Sequence, residues 1–143
     1  MSQDLKTAHW DLSRLYSSVS DPAMESDMQA GTEQVHEFRE RYYGKIGSEA
    51  LTAEALKGAI MEIEALQEKV LKPYLYAQLV FSADTEKDAH KELVQKTREF
   101  LSRLRHEIIF FELEILSIPD HRFEKLMSDP LLANYRHYLK RLR

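Results

Sequence analysis

The 143-residue chain contains no cysteine. That excludes a disulfide scaffold, thiolate metal ligation and a cysteine nucleophile. It holds only 4 glycines and 4 prolines. An all-β chain needs many more tight turns, so this scarcity favours long helices. No apolar run approaches the roughly 18 residues that a transmembrane helix requires. The opening Met1-Ser2-Gln3-Asp4-Leu5-Lys6 lacks a basic region followed by an apolar stretch. No secretory signal is therefore visible, and a cytoplasmic protein without a membrane partner is expected. The net charge is -4, which gives no support to nucleic-acid binding.

What is present fits one globular domain. Hydrophobic residues make up 43% and charged residues 31% of the chain, a balance that can build a core and keep it in solution. Residues 1–20 show no cap-to-cap helical pattern. Their apolar residues Trp10, Leu12, Leu15 and Tyr16 suggest an N-terminal arm packing on a helical domain of residues 21–143.

Helix signals follow in order. Asp21-Pro22 is a start, because Asp caps free amides and Pro needs no N–H at the first helical position. Met24, Met28, Gly31, Val35, Phe38 and Tyr42 then share one stripe, with Gly44 and Gly47 as stops. Gly31 implies either close helix packing or a break. Thr52 opens a second helix with the stripe Leu56, Ile60, Ile63, Leu66 and Val70. Pro73 predicts a kink or a fresh start near Lys72. Tyr74, Tyr76, Leu79, Val80 and Phe81 then read as a buried piece.

Thr85 with Asp88 resembles a capping box for a third helix. Its periodicity runs to Ser117. Leu93, Thr97, Phe100, Leu104, Ile108, Phe111 and Ile115 form one face. Val94, Leu101, Ile109 and Leu113 form a second. A helix of about 30 residues and about 45 Å, apolar on two faces, is expected to lie centrally between others. Asp120 starts a short helix bearing Phe123, Leu126 and Met127. Asp129-Pro130 starts another, carrying Leu132, Tyr135, Leu139 and Leu142. No stop signal precedes Arg143, so a chain cut from a longer one is expected. The fold expected is all-α, a multi-helix bundle with a long central helix and no sheet.

Several constellations could carry chemistry. His36-Glu37 and His106-Glu107 each begin like His-Glu-x-x-His, the helical zinc-peptidase motif. They end in Glu40 and Phe110, and both read as surface pairs. Glu33 and His36 supply one Glu-x-x-His pair, but a carboxylate di-metal bundle needs two. Glu112 and Glu114 lie in an apolar helix, where one is expected to face solvent and the other to pair with an arginine. Arg98, Arg103 and Arg105 read as a solvated face.

Arg136, His137, Lys140, Arg141 and Arg143 form a basic tail that suits a helix C-terminus, with a phosphate patch as the minor reading. Tyr74, Tyr76, Phe81, Phe110 and Phe111 read as core, with a peptide groove as the minor reading. No catalytic, cofactor-binding or metal-ligating residue emerges.

Ordered segments nevertheless resemble one family. Trp10-Asp11-Leu12, Leu15-Tyr16 and Asp21-Pro22 are similar to the opening of the oligoendopeptidase F family, zinc oligopeptidases related to thimet oligopeptidase. Arg41-Tyr42-Tyr43-Gly44-Lys45, Leu51-Thr52-Ala53-Glu54-Ala55-Leu56, Pro73-Tyr74-Leu75-Tyr76-Ala77 and Phe81-Ser82-Ala83-Asp84-Thr85 continue the likeness. Phe110-Phe111-Glu112-Leu113-Glu114, Asp129-Pro130 and Tyr135-Arg136-His137-Tyr138-Leu139 complete it.

The resemblance covers residue 9 to the end. It implies the N-terminal helical domain of a longer enzyme that cleaves internal bonds of short peptides inside a helix-walled channel. Zinc would belong to the parent's catalytic domain, and this chain itself would hold no cofactor. The implied partners are that catalytic domain and, for the parent, short peptides. Self-association of the isolated domain, through its last helix, is also expected. Two rival readings stand beside it: a free-standing helical interaction module, and a small metal-bundle enzyme using Glu33 and His36.

Overall fold

A computed structural model describes residues 12–143. Trp10 of the proposed anchor group lies outside them, as does most of the arm. Among the described residues the elements are α1 (Pro22–Tyr42), α2 (Ala53–Ala83), α3 (Asp88–Ser117), α4 (Asp120–Met127), a 3-10 helix (Pro130–Tyr135) and α5 (Arg136–Leu142). No strand occurs among them. The all-α expectation therefore holds.

Local chemistry sets most boundaries. The Asp21 carboxylate accepts the Ala23 N–H at 2.9 Å and the Ser17 N–H at 2.8 Å. These amides, Ser17 first, hold its carboxyl below the usual range. Pro22 follows as the first helical residue. Gly44 stands at φ 77°, a left-handed conformation that lets the chain leave α1 without a Cβ penalty. Thr52 Oγ1 accepts the Ala55 N–H at 3.1 Å and starts α2.

Two expected boundaries are different in the structure. No new helix starts at Pro73, because α2 runs unbroken from Ala53 to Ala83. Val70, Pro73, Tyr76 and Ala77 are all buried, so packing on both sides of the proline holds the helix through the missing bond. Thr85 does not cap α3, which begins at Asp88 after Lys87. Asp84 takes over this turn. Its side chain accepts the Glu86 N–H at 3.1 Å, its own N–H reaches Val80 O, and its carbonyl lies 2.9 Å from His90 Nδ1.

The three long helices form the core. Cross-links fix their directions: α1 runs alongside α3, and α2 runs against both. Glu25 near the start of α1 pairs with Lys96, and Arg39 near its end donates to the Glu107 carbonyl at 3.0 Å. Asp27 pairs with Lys72 at 3.4 Å, and Arg41 pairs with Glu62.

Gly31 lies at the crossing of all three. A Cβ there would stand 3.1 Å from Val70 Cγ1 and 3.5 Å from Phe100 Cζ. Of the two readings of Gly31, close packing is the one realised. Thr97, fully buried, donates its hydroxyl to Leu93 O at 2.8 Å, so burial leaves no donor unpaired.

The C-terminal segments close one end. Ile118, Phe123, Leu132 and Leu139 are buried in the same core. The stretch after Asp129 is not one α-helix. The Asp129 side chain accepts the Leu131 N–H at 2.9 Å and starts a 3-10 helix. Tyr135, at φ -111° and ψ 0°, marks its junction with α5.

At the other end Tyr16 fastens residues 12–20. Its hydroxyl donates to Asp27 Oδ2 at 2.7 Å, and its ring stands edge-on to Tyr76 at 5.2 Å. Lys72 Nζ lies 4.6 Å from its ring centroid.

Replacing Gly31 with Leu should lower unfolding free energy by about 2 kcal/mol, because the crossing cannot absorb the added atoms. Chemical denaturation checks this, and an unchanged midpoint would refute the close-approach account.

The Tyr16 phenol is pushed up, first by burial, then by the bond to Asp27 and that residue's charge. The unfolded chain releases this proton near pH 10, while the folded chain keeps it. Tyr16 therefore contributes fully below that pH, and its contribution drains away as pH climbs toward the raised folded value. Tyr16→Phe should cost about 1 kcal/mol at neutral pH. It should also make the loss of stability above pH 10 shallower than in the parent chain, as read from urea midpoints across alkaline buffers.

Candidate interaction surface

The outer flank of α3 carries the most continuous exposed apolar feature among the described residues. Ile109, Leu113 and Leu116 follow one another at spacings of four and three, and are 50%, 56% and 45% exposed. Two of them belong to the second face expected to be covered. Val94 and Leu101 of that face are indeed buried, but Ile109 and Leu113 are not.

α5 runs alongside the C-terminal half of α3, its Tyr138 close enough to Glu112 and Glu64 for their charges to act on it. Burial first, then those two carboxylates, push the Tyr138 phenol up. α5 packs against α3, and Ile109, Leu113 and Leu116 are left exposed. Next to them the seam between α2 and α3 opens into a groove of about 330 Å³, lined by Ile63, Gln67, Arg105, Ile108, Ile109 and Glu112.

The carboxylates expected inside α3 have separate jobs. Glu112 is exposed at the groove rim. Glu114 does not pair with an arginine. Its two oxygens accept the Gly44 N–H at 3.0 Å and the Gly47 N–H at 3.1 Å. Those amides lie in the loop past the end of α1, where the carboxylate takes the place of a backbone carbonyl. Sequence reading missed this because it scored Glu114 only against charged side chains.

Arg39 was also missed. It lies 4.6 Å over the Tyr43 ring and 5.7 Å from that of Phe110, joining the end of α1 to α3. Glu107 Oε2 is buried without a hydrogen-bond partner, although the residue as a whole is only half-buried.

The other candidates do not converge. His36 lies 3.3 Å from Glu40 on an exposed face of α1, and His106 is exposed on α3. Among the described residues no three His, Asp or Glu side chains stand close enough to share a metal ion. Arg98, Arg103 and Arg105 are exposed, as expected.

The basic tail is divided. Arg136 donates to Met127 O at 2.6 Å, and Arg143 donates to Ile118 O at 2.8 Å while stacking 4.4 Å from the Phe123 ring centroid. Arg143 also pairs with Asp120. His137, Lys140 and Arg141 are exposed without such a tie, whereas the Arg143 side chain is 21% exposed. The aromatic group is divided too. Tyr76 joins Tyr16 at one end of α1, while Phe110 and Phe111 join Phe38 at the other, 5.8 and 5.9 Å between centroids.

The described residues form a helical bundle with an exposed apolar flank on α3. A family model described as Oligopeptidase F matches residues 114–143. The match is consistent with an oligoendopeptidase F N-terminal domain. It spans the end of α3, α4, the 3-10 helix and α5, and leaves the likeness of residues 9–113 to rest on their sequence segments. No curated protein matches the chain, and no solved structure does. No helix among the described residues is long and apolar enough to cross a membrane.

Glu114→Ala should destabilise the domain by about 2 kcal/mol, since two amides lose a charged acceptor. Leu113→Glu on the open flank should stay within about 0.5 kcal/mol of the parent. Thermal melts of the two variants side by side check both values.

Proposed function

We propose that this chain is the non-catalytic N-terminal helical domain of a zinc metallo-oligoendopeptidase. Its task is steric: to wall one side of a peptide channel and to pack on the catalytic domain of the same polypeptide. The parent enzyme hydrolyses internal bonds of short peptides, and the zinc chemistry belongs to that other domain. The observation that carries this reading is the family match on residues 114–143. The matched stretch contains Leu116 of the open flank and α5, the helix that borders it.

The flank supplies physical support. Three half-exposed branched side chains in a row form an apolar patch of the kind that marks a contact surface. Covering it would remove apolar area from water and add stability at roughly 25 cal/mol per Å². The same patch favours a second reading, in which the domain is a free-standing module whose flank receives a partner helix in the helix-in-groove manner.

The source gene separates the two. A reading frame that continues past Arg143 for several hundred codons and encodes His-Glu-x-x-His is the result expected of the peptidase. An immediate stop codon would transfer the case to the interaction module. The purified chain should not hydrolyse a fluorogenic peptide with or without added zinc, and chelator-sensitive turnover would overturn the non-catalytic assignment. Sedimentation should show concentration-dependent self-association through the flank, weakened by Leu113→Glu. The last helix is no longer the expected route, because Leu139 is fully buried and Leu142 half-buried within the domain.

A further inference from the structure

The open flank of α3 carries charge in a pattern that fits a copy of itself. Arg105, Ile109, Glu112 and Leu116 follow one another at spacings of four, three and four, so they share one ridge of the helix. All four are exposed. Arg105 and Glu112 stand about 10 Å apart along the ridge, with Ile109 between them. These three also line the groove beside the flank, where the buried Ile63 and Ile108 form the floor.

Neither charge is neutralised within the domain. None of the ion pairs among the described residues includes Arg105 or Glu112. Glu112 acts on the nearby Tyr138 phenol, but that group keeps its proton at neutral pH and brings no positive charge.

We propose that two copies of this chain dock flank to flank, their α3 helices antiparallel about a two-fold axis beside Ile109. A two-fold contact uses one patch twice: if residue i meets residue j of the other copy, j meets i in return. In a parallel pair Arg105 would face Arg105 and Glu112 would face Glu112, and like charges set opposite each other are costly. In the antiparallel pair each Arg105 faces the Glu112 of the other copy. The midpoint of these two positions falls beside Ile109, so the two isoleucines meet at the axis, next to the grooves. Leu113 and Leu116 then reach toward the other copy's Ser102 and the methylene stem of its Arg105, which covers apolar surface while its charge stays at the rim. The patch is small, so the pair belongs with weak, reversible interfaces. This inference rests on the reading of the flank as a contact surface and names its occupant. It does not depend on the peptidase assignment.

Sedimentation equilibrium of the full chain at low salt, up to roughly 1 mM, is expected to show monomer and dimer and nothing larger. Arg105→Glu should weaken the dimer roughly tenfold, and Glu112→Arg should do the same. An equimolar mixture of these two variants should recover it, because the mixed pair regains both opposite-charge contacts. Arg103→Glu makes the same change in charge on the side of α3 that faces α1, and should leave the dimer unmoved. Circular dichroism verifies that the variants, all at exposed positions, keep their helices. A chain that stays monomeric overturns the proposal, as does open-ended assembly. So does a dimer that both charge reversals leave unchanged, or a mixture that fails to recover. If Leu113→Glu alone weakens the dimer, the flank stands as the contact surface while the antiparallel pairing falls. The reading frame past Arg143 decides the peptidase assignment separately.

Discussion

The contact at Gly31 is the constraint from which the architecture follows. Three long helices can share one core only where some side chain is small enough to let their backbones converge. Here Val70 of α2 and Phe100 and Leu104 of α3 fill the space that a Cβ on Gly31 would claim. A glycine inside a helix costs about 1 kcal/mol against alanine. That cost is offset by burial of Val70, Phe100 and Leu104 around the crossing. With the crossing fixed, α1 and α3 run side by side, and their far ends are brought within reach of the loop that Glu114 holds.

Glu114 and Arg143 play matching parts in that arrangement. Helix ends leave several amides or carbonyls without ladder partners. Glu114 serves the amides of Gly44 and Gly47 after α1. Arg143 serves the Ile118 carbonyl after α3. Each uses a charge to satisfy backbone that its own segment cannot satisfy, and each ties two elements distant in sequence. This is why two residues with the look of active-site or phosphate-binding groups are structural.

Much of the fold was legible because its signals are local. Asp21-Pro22, Thr52 and Gly44 act within a few residues, and the stripes of α1, α2 and α3 follow from periodicity alone. The misreadings share one cause. Pro73 allowed a kink or a fresh start, and the fresh start is the one that the unbroken, buried α2 excludes. Thr85 is a sound cap in isolation, but Asp84 reaches the turn amide first. The second face of α3 was read as covered from its periodicity, but only Val94 and Leu101 are buried while Ile109 and Leu113 are exposed. The pairing of Glu114 with loop amides 67 and 70 residues earlier has no sequence signal at all.

The surface left over is where function must be sought. Arg136 and Arg143 pin the two ends of α5 to Met127 and Ile118. A helix held at both ends cannot slide sideways to shield Ile109, Leu113 and Leu116. Nor is the flank easily hidden from within by side-chain motion, because Ile108, Phe111 and Ile115 already fill the inner face of the helix. Covering it requires something brought from outside the described domain. A helical bundle that leaves one helix flank uncovered offers an apolar surface of the kind that packs against a larger body.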